Sequence, residues 1–456
     1  MKKFYWGNSV SSMQTEGAWN EDGKGMSVYD VRTTSELVSD WKVAVDSYHR
    51  HEEDFDLMKD LGMNMYRFQI SWSRVCPTGD GEWNMMGIEF YDKFIDGLIS
   101  RGIEPMICLY HFDMPLELAE KHNGFHSKEA TEAFIRFGKE MIDRFSGKVK
   151  HWLTFNEQNI FFWDDHAFRI AGYIKGKKTI AEKFQIQHNT AYAHASIANY
   201  IHNNTDALIS GMGSYYEVYP ATSHPTDVRY AREADEIMNM AINNLFVNGE
   251  FSSYYIKIRD PYLSDLEILD HEISEMEKCK SDYLSFSYYY STTIDHTSVP
   301  EGTLPFEYVK YGKKANPAIP ETEWGWQIDP EGFRGVHNKL YNRFKLPLFP
   351  IENGIGVNED WDGINEINDS YRIDYHRDHL LAMFAARDID GVPVLGYLGW
   401  GLIDILSSTG DMRKRYGVVF VNRDNHDLRD LARVPKKSYQ WLKSVIESNG
   451  GNLFSE

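Results

Sequence analysis

The chain has 456 residues, of which 42% are hydrophobic and 25% are charged, as is typical of a folded globular protein. Acidic residues outnumber basic ones by 68 to 48, and the resulting net charge of -20 disfavours a nucleic-acid-binding protein. Three scattered cysteines exclude a disulfide framework, and no apolar run reaches the roughly 18 residues of a membrane span. Since the N-terminal segment lacks the apolar stretch of a signal peptide, we expect a cytoplasmic protein without membrane partners.

Strand-like and helix-like segments alternate along the whole chain. Apolar, β-branched or aromatic runs predict eight strands, at residues 4–10, 63–70, 104–110, 150–155, 208–215, 283–289, 346–351 and 394–400. Amphipathic stretches predict helices at residues 53–61, 87–100, 128–145, 181–202, 331–343, 370–387 and 437–448. We expect residues 220–276 and 293–324 to form loops and additional helices at the rim.

Eight strands that alternate with helices predict a parallel sheet, and eight is the number that closes a barrel. A doubly wound sheet is the alternative, but it usually carries a GxGxxG turn after its first strand, where this chain reads Gly7-Asn8-Ser9. We therefore predict an α/β fold, a single (β/α)8 TIM barrel domain over residues 1–456 with extended βα loops on its C-terminal face. Barrel enzymes place their chemistry at that face.

Two glutamates follow predicted strands of this barrel. Glu157 lies in "HWLTFNEQN" after the fourth strand, and Glu352 lies in "LFPIENGIG" after the seventh. One glutamate alone is commonly an exposed carboxylate, but two on nearly opposite strands can project into one barrel mouth. Such a pair can protonate a glycosidic oxygen and attack the anomeric carbon or activate water. We expect the pKa of one to rise and that of the other to fall.

Seven segments, in order, resemble the signature segments of glycoside hydrolase family 1, and they cover nearly the whole chain: "FYWGNSVSSMQTEG", "YRFQISWSR", "YHFDMP", "TFNE", "SYYYS", "IENG" and "GYLGWGLID". The resemblance implies a (β/α)8 barrel and a retaining double-displacement mechanism with no metal or other cofactor. By position, Glu157 resembles the acid/base and Glu352 the nucleophile.

The resemblance also implies roles for the residues around the two glutamates. Asn156 would hold the sugar 2-hydroxyl, Tyr289 would hydrogen-bond the nucleophile, and Arg67 would keep the nucleophile ionised. The positions that grip the sugar hydroxyls or stack on the ring are matched by Gln14, His111 and Trp400, and Trp326 matches a tryptophan near the aglycone. We expect His111 at a wet rim position, whereas structural roles for Arg67 and Trp400 stay open.

The chain departs from the common β-glucosidase pattern at Phe112, Ser287 and Ile351, and most clearly where Ser407-Ser408 replace a Glu-Trp pair. In enzymes for unphosphorylated sugars that glutamate grips the 4- and 6-hydroxyls. A carboxylate there would repel a 6-phosphate, whereas a serine can donate a hydrogen bond to it.

The segment "RKRYG" then adds cations to an acidic chain. Ser407, Lys414 and Tyr416 resemble the phosphate grip of the 6-phospho-β-glycosidase branch, whereas Arg413 and Arg415 are not both expected to touch the ligand, because neighbouring side chains usually point apart. A solvated basic loop is the alternative. In phospho-galactosidases of this branch a tryptophan stands at the position of Ser408, so this chain resembles the phospho-glucosidases, and Ser408 is predicted to be one of the substrate-binding residues.

The sequence therefore predicts retaining hydrolysis of 6-phospho-β-D-glucosides, of the phosphorylated cellobiose or aryl type, to glucose 6-phosphate and aglycone. The alternatives are a 6-phospho-β-galactosidase and an unphosphorylated β-glucosidase. A non-catalytic barrel that binds sugar phosphates is less favoured, because both glutamates are present. A homo-oligomer is compatible with the sequence.

Overall fold

Eight parallel strands lie at the centre of the structure, which is a computed structural model that describes residues 3–163 and 169–454. The strands are β1 (Tyr5–Ser9), β2 (Met65–Gln69), β3 (Glu104–Tyr110), β4 (His151–Phe155), β5 (Leu208–Ser210, continuing after Gly211 as Met212–Tyr215), β6 (Leu284–Tyr288), β7 (Leu348–Glu352) and β8 (Gly396–Trp400). Each predicted strand is present, with bounds that differ by two residues at most.

The strands pair around a closed ring. Hydrogen bonds join them in the order β8-β1-β2-β3-β4-β5, and the second half of β5 pairs with β6, which pairs with β7. Leu348 of β7 then bridges to Val394, just before β8, and accepts a hydrogen bond from the backbone N–H of Leu395 at 2.9 Å. The predicted (β/α)8 barrel is thereby confirmed.

Helices follow the strands and cover the outside of the barrel. They are α1 (Ser47–Leu61), α2 (Met85–Ser100), α3 (Lys128–Phe145), α4 (Ile180–Asn204), α5 (Pro225–Asp235, continuing through a π-helical turn Glu236–Met240 into Ala241–Asn248), α6 (Pro330–Phe344), α7 (Ser370–Asp388) and α8 (Lys437–Glu447). All seven predicted helices are present, and α5 lies in the region expected to contain additional helices. No helix in the described part of the chain is long and apolar enough to cross a membrane.

Capping residues explain where several helices begin. Thr179 and Glu182 form a reciprocal capping box at the start of α4, and the side chain of Ser127 accepts the N–H of Ala130 in α3. α1 begins at Ser47, six residues before the predicted start, because its first turns are polar and show no apolar periodicity.

Shorter elements lie between the main strands and helices. The strands Val218–Pro220, Thr292–Ile294 and Lys313–Lys314 form a small sheet, and Val419–Val421 pairs with Arg433–Pro435. Short helices are Ser12–Thr15, Trp72–Val75, Leu116–His122, Ser253–Arg259, Asp270–Met276 and Tyr308–Gly312, with 3-10 turns at Gly124–His126, Gln158–Phe162, Asp260–Asp265, His296–Ser298, Pro305–Glu307 and Gly451–Phe454. The five short strands of these two small sheets were not predicted, because two or three residues are too few to show an alternating pattern.

The barrel interior is filled by its own set of buried side chains, separate from the larger core between strands and helices: Met65, Met106, Cys108, Leu153, Met212, Tyr283, Phe349, Ile351 and Leu398. Since alternate residues of a strand face the same side, Arg67 projects into the barrel two residues above Met65. The interior is therefore apolar below and charged towards the C-terminal mouth.

Gly7 permits the close approach of β1 to β2. A Cβ atom at this position would lie 1.9 Å from the carbonyl oxygen of Met65, which belongs to the rigid backbone of the neighbouring strand. We expect Gly7→Ala to lower the free energy of unfolding by about 3 kcal/mol, measured by urea denaturation. Gly147→Ala is the matched control, because a Cβ there has no atom within 4 Å. Equal stability of the two variants would contradict this account of strand packing.

Candidate active site

A local irregularity in β7 directs Glu352 into the barrel mouth. Phe349 and Ile351 both face the barrel interior, so a regular strand would turn the next side chain outwards. The register with β6 slips here: Pro350 is opposite Phe286, and Glu352 is opposite Ser287, with Ile351 between them. This bulge re-aims Glu352, which is 3% exposed and contacts Arg67 inside the barrel.

Glu157 reaches the same region from the end of β4. Its backbone is left-handed, with φ 42° and ψ 53°, an uncommon conformation for a residue other than glycine. The partly buried carboxylate accepts a hydrogen bond from the hydroxyl of Ser287. Because Ser287 is the register partner of Glu352, the two glutamates lie on either side of one serine at the end of β6.

Arg67 connects the groups around Glu352. Its guanidinium is fully buried. Nη1 donates a hydrogen bond to Glu352, and Nη2 donates one to Asn156 Oδ1 at 2.7 Å. The hydroxyl of Tyr289 donates to the other carboxylate oxygen of Glu352 at 3.0 Å. The structure thus brings Arg67, Asn156 and Tyr289 together with both glutamates.

Burial raises the pKa of both carboxyl groups. It raises the pKa of Glu352 to about 8, with Arg67 opposing the rise and the charge of Glu157 adding to it. Burial also raises the pKa of Glu157, and the Ser287 hydroxyl opposes that rise. The expectation that one pKa falls is therefore wrong, because both groups leave water. Because both pKa values rise, the pair keeps one proton at neutral pH. Since the Arg67 cation contacts Glu352, we place the negative charge on Glu352 and this proton on Glu157.

Three further residues predicted to bind the sugar are buried at or after the C-terminal ends of β1, β3 and β8. His111 is 3% exposed, so the expected wet rim position is wrong: its ring packs against Trp400, with centroids 5.6 Å apart. Burial and the charge of Arg67 lower the pKa of His111 well below 6.5, which keeps the imidazole neutral. Gln14 donates to the carbonyl of Leu406 and accepts from Ser11, so its amide connects the turn after β1 to the segment containing Ser407.

The loop after β8 holds Ser407 and exposes Ser408. The buried Ser407 hydroxyl pairs with the Thr409 hydroxyl at 2.8 Å and accepts the N–H of Asp411 at 3.0 Å. Ser408 is exposed, and its carbonyl accepts a hydrogen bond from Arg32. Ser407 is therefore fixed by its own loop, whereas the side chain of Ser408 faces solvent.

Lys414 lies among aromatic rings. Its ammonium is 3.4 Å from the centroid of the Trp326 ring, 5.3 Å from Trp324 and 5.7 Å from Tyr416. Burial lowers the pKa of Lys414 to about 8. Tyr416 is buried, and its ring centroid is 6.2 Å from that of Tyr289, so the segment is adjacent to the glutamates.

The two arginines that flank Lys414 point elsewhere, as the alternation of neighbouring side chains predicts. Arg413 is exposed and pairs with Asp411 at 2.7 Å. Arg415 is 3% exposed, pairs with Asp404 at 3.2 Å and donates to the carbonyl of Arg423. Lys414 is the member of the basic segment that forms no ion pair with any residue described in the structure.

Ser287 was not predicted to contact Glu157, and the sequence showed it only as a departure from the common β-glucosidase pattern. Its position at the end of β6, one of the strands whose ends form the mouth, was the available signal. Arg372, which binds the carbonyl of Tyr416 from the first turn of α7, was not predicted either. No local motif points to Arg372, because its partners are distant in the sequence.

One group of potential metal ligands lies outside this site. Asp227, Asp295 and His296 have ligand atoms within 4.8 Å of one another. Their oxygens already accept protein hydrogen bonds: Asp227 from Thr222 and His296, and Asp295 from Thr297 and Lys314. We assign no metal to this group.

A buried and a partly buried glutamate at the C-terminal mouth of a (β/α)8 barrel, with an arginine on one and tyrosine rings nearby, define a glycosidase-type enzyme. The chain belongs to glycosyl hydrolase family 1, whose family model matches residues 1–451.

Curated relatives match over almost the full length. The aryl-phospho-beta-D-glucosidase BglA of Bacillus subtilis (strain 168) is 36% identical, with 99% of each chain covered. The 6-phospho-beta-glucosidase of Clostridium longisporum is 37% identical, over 99% of this chain and 98% of the relative. Among solved structures, the family 1 β-glucosidase of Thermotoga maritima aligns with a TM-score of 0.87 and 28% identity, over 98% of this chain and 97% of that one.

The proton placed on Glu157 should determine the basic limb of the pH profile. In the predicted roles Glu352 acts as an anion and Glu157 as an acid, so loss of the Glu157 proton lowers kcat/KM at high pH. We expect Glu157→Gln to lose this basic limb, because a glutamine cannot ionise and places no negative charge beside Glu352. The measurement is kcat/KM against pH with an aryl β-glucoside.

Glu157→Asp is the control, because it keeps an ionisable carboxyl group, and its profile should retain a basic limb. A basic limb that is unaltered in Glu157→Gln would mean that Glu157 does not hold the proton of the pair.

Proposed function

We propose that this protein hydrolyses 6-phospho-β-D-glucosides with retention of configuration and releases glucose 6-phosphate and the aglycone. The observation that carries the proposal is Lys414, a cation without an ion-pair partner in the described chain, held beside Tyr416 next to the two glutamates. A phosphate monoester is largely dianionic at neutral pH, because its second pKa is about 6.

In the first step, Glu352 attacks the anomeric carbon. A bond forms between that carbon and a carboxylate oxygen of Glu352 while the bond to the glycosidic oxygen breaks. Glu157 delivers its proton to the departing oxygen. Arg67 and Tyr289 hold Glu352 through both carboxylate oxygens, so the attacking group keeps a fixed direction.

In the second step, water replaces the enzyme carboxylate. Glu157, now ionised, accepts a proton from water, which attacks the anomeric carbon and releases Glu352. The Ser287 hydroxyl stabilises this ionised form of Glu157. Asn156 Oδ1 already accepts a hydrogen bond from Arg67, so its amide N–H₂ is the group that would hold the sugar 2-hydroxyl.

The phosphate would be bound by Lys414, Tyr416 and Ser407. The ammonium supplies charge, and the two hydroxyls supply directed hydrogen bonds. The Ser407–Thr409 pair can supply a donor from either oxygen. Trp326, which we expected near the aglycone, lies against Lys414 and restricts the directions available to its ammonium.

The names of relatives support the phosphorylated substrate. The two relatives described above are named for phosphorylated glucosides, and a 6-phospho-beta-galactosidase of Clostridium acetobutylicum is 32% identical over 97% of this chain and 96% of its own. We favour the glucoside, because Ser408 stands where the galactosidase branch carries a tryptophan. A phosphorylated substrate also favours a cytoplasmic location for the enzyme. Assembly into a homo-oligomer stays a prediction.

Lys414→Ala should remove most of the preference for phosphorylated substrates. We expect kcat/KM for a nitrophenyl β-glucoside 6-phosphate to fall about 100-fold, because the dianion loses its buried countercharge, while the unphosphorylated nitrophenyl glucoside is little affected. Arg413→Ala is the matched control in the same segment, because its exposed pair with Asp411 contributes little. Equal losses for both substrates in Lys414→Ala would assign the lysine a structural role.

The same lysine predicts a pH window for binding. Its pKa of about 8 means that the charge is present below pH 8 and is lost above it. The phosphate is a dianion above about pH 6. We expect the lowest KM for the phosphorylated substrate between these two values, and a KM that does not change with pH would contradict the ion pair.

Glu352→Ala separates the enzyme from a non-catalytic sugar-phosphate-binding barrel. We expect turnover of the 6-phosphate substrate to fall by about 10⁴-fold or more, because the nucleophile is lost. Calorimetric binding of that substrate should persist, since Lys414 and Tyr416 are unchanged. Unaltered turnover would remove Glu352 from the mechanism.

A further inference from the structure

Six buried charged side chains lie behind the segment that carries Lys414. We call this group the buried charge network, and its members are three cations and three anions: Arg372, Arg415, Lys436, Glu359, Asp369 and Asp404. The side chains are at most 5% exposed, and their charges balance. Burial of so many charges is costly unless each is paired, which this arrangement achieves.

Arg372 joins the two halves of the candidate site. Its Nη1 donates to the carbonyl of Ile355 at 2.7 Å, three residues after Glu352, and to the carbonyl of Tyr416 at 2.9 Å. Its Nη2 donates to Glu359 at 2.8 Å, in the loop that follows the nucleophile. One guanidinium therefore fixes the loop after Glu352 against the segment that holds Tyr416.

Arg415 fixes the same segment from behind. It pairs with Asp404, whose other oxygen accepts the N–H of Gly417 at 2.9 Å, and its backbone forms two hydrogen bonds with Val357. Because neighbouring residues of an extended segment face opposite sides, anchoring Arg415 in the network directs Lys414 and Tyr416 away from it. Their closeness, 5.7 Å from ammonium to ring, agrees with a shared face.

We propose that Glu359 and Arg372 are positioning residues for phosphate recognition: they set the distance between the nucleophile and the Lys414–Tyr416 face. The inference rests on the proposed function, because it assigns these residues to the phosphate end of that site. Neither residue would touch the sugar. They would determine whether a 6-phosphate reaches Lys414 while the anomeric carbon lies at Glu352.

The charge of Glu359 is central to this arrangement. Burial alone would raise its pKa, but Lys436 and Arg372 outweigh burial and lower the pKa to about 2. A neutral residue here leaves one more buried cation than anion next to the phosphate segment, so Arg372 and Lys436 must find other partners.

The test is the substrate selectivity of Glu359→Gln, which keeps the size of the side chain and removes its charge. We expect KM for a nitrophenyl β-glucoside 6-phosphate to rise about tenfold, with kcat changed less than about twofold. The kcat/KM for the unphosphorylated glucoside should change less than about twofold, because the contacts of Glu352 with Arg67 and Tyr289 are unaltered.

Asp54→Asn is the matched control. Asp54 forms a buried pair with Arg433 at 2.9 Å, and neither residue belongs to the buried charge network or contacts the site residues described above. This variant should lose stability without a change in the ratio of kcat/KM for the two substrates. Tyr371→Phe is a milder second variant, because it removes only a hydroxyl that donates to Glu359, and it should shift the ratio in the same direction by a smaller factor.

The deciding quantity is the ratio of kcat/KM for the phosphorylated substrate to that for the plain glucoside. The positioning role is overturned if this ratio is unaltered in both Glu359→Gln and Tyr371→Phe. It is also overturned if the ratio falls equally in Asp54→Asn. A failure of the proposed function is distinguishable, because the unaltered protein would then show no preference for the phosphorylated substrate. That result would overturn both proposals.

Discussion

The contact between Arg67 and Glu352 is the interaction on which the candidate active site depends. A fully buried guanidinium inside an otherwise apolar barrel is destabilising by several kcal/mol unless anions or oriented dipoles compensate it. Here one compensating group comes from β7 and another, Asn156, follows β4. A single cation from β2 thereby fixes groups from opposite sides of the ring, including the residue next to Glu157. Catalytic geometry and barrel stability thus depend on the same contact.

Backbone irregularities set the direction of both glutamates. Glu157 has a left-handed conformation, and the register of β7 slips by one residue immediately before Glu352. Each irregularity departs from the preferred local structure, and such departures persist where the surrounding packing compensates them. The hydroxyl of Ser287, the register partner of Glu352, accounts for part of this compensation by binding Glu157.

The basic segment shows how three neighbouring cations of an acidic chain acquire different environments. Arg413 pairs with Asp411 at the surface, and Arg415 is neutralised within the buried charge network. Lys414 alone forms no ion pair in the described chain, and aromatic rings lie around its ammonium. A chain with a net charge of -20 can therefore keep a local cation without an ion-pair partner, because Asp411 pairs with Arg413 and the buried charge network neutralises Arg415.

The sequence by itself determined the eight strands, seven of the barrel helices and the two strand ends that carry Glu157 and Glu352, because these follow from local periodicity and from the topology of a parallel barrel. Only the tertiary structure decided the aim of Glu352, the burial of His111 and the raised pKa of both glutamates. Those properties depend on a bulge, on packing and on desolvation. The same holds for Arg372, whose partners Ile355 and Tyr416 lie 17 and 44 residues away along the chain. Local sequence pattern carries no record of contacts that form only when the barrel closes.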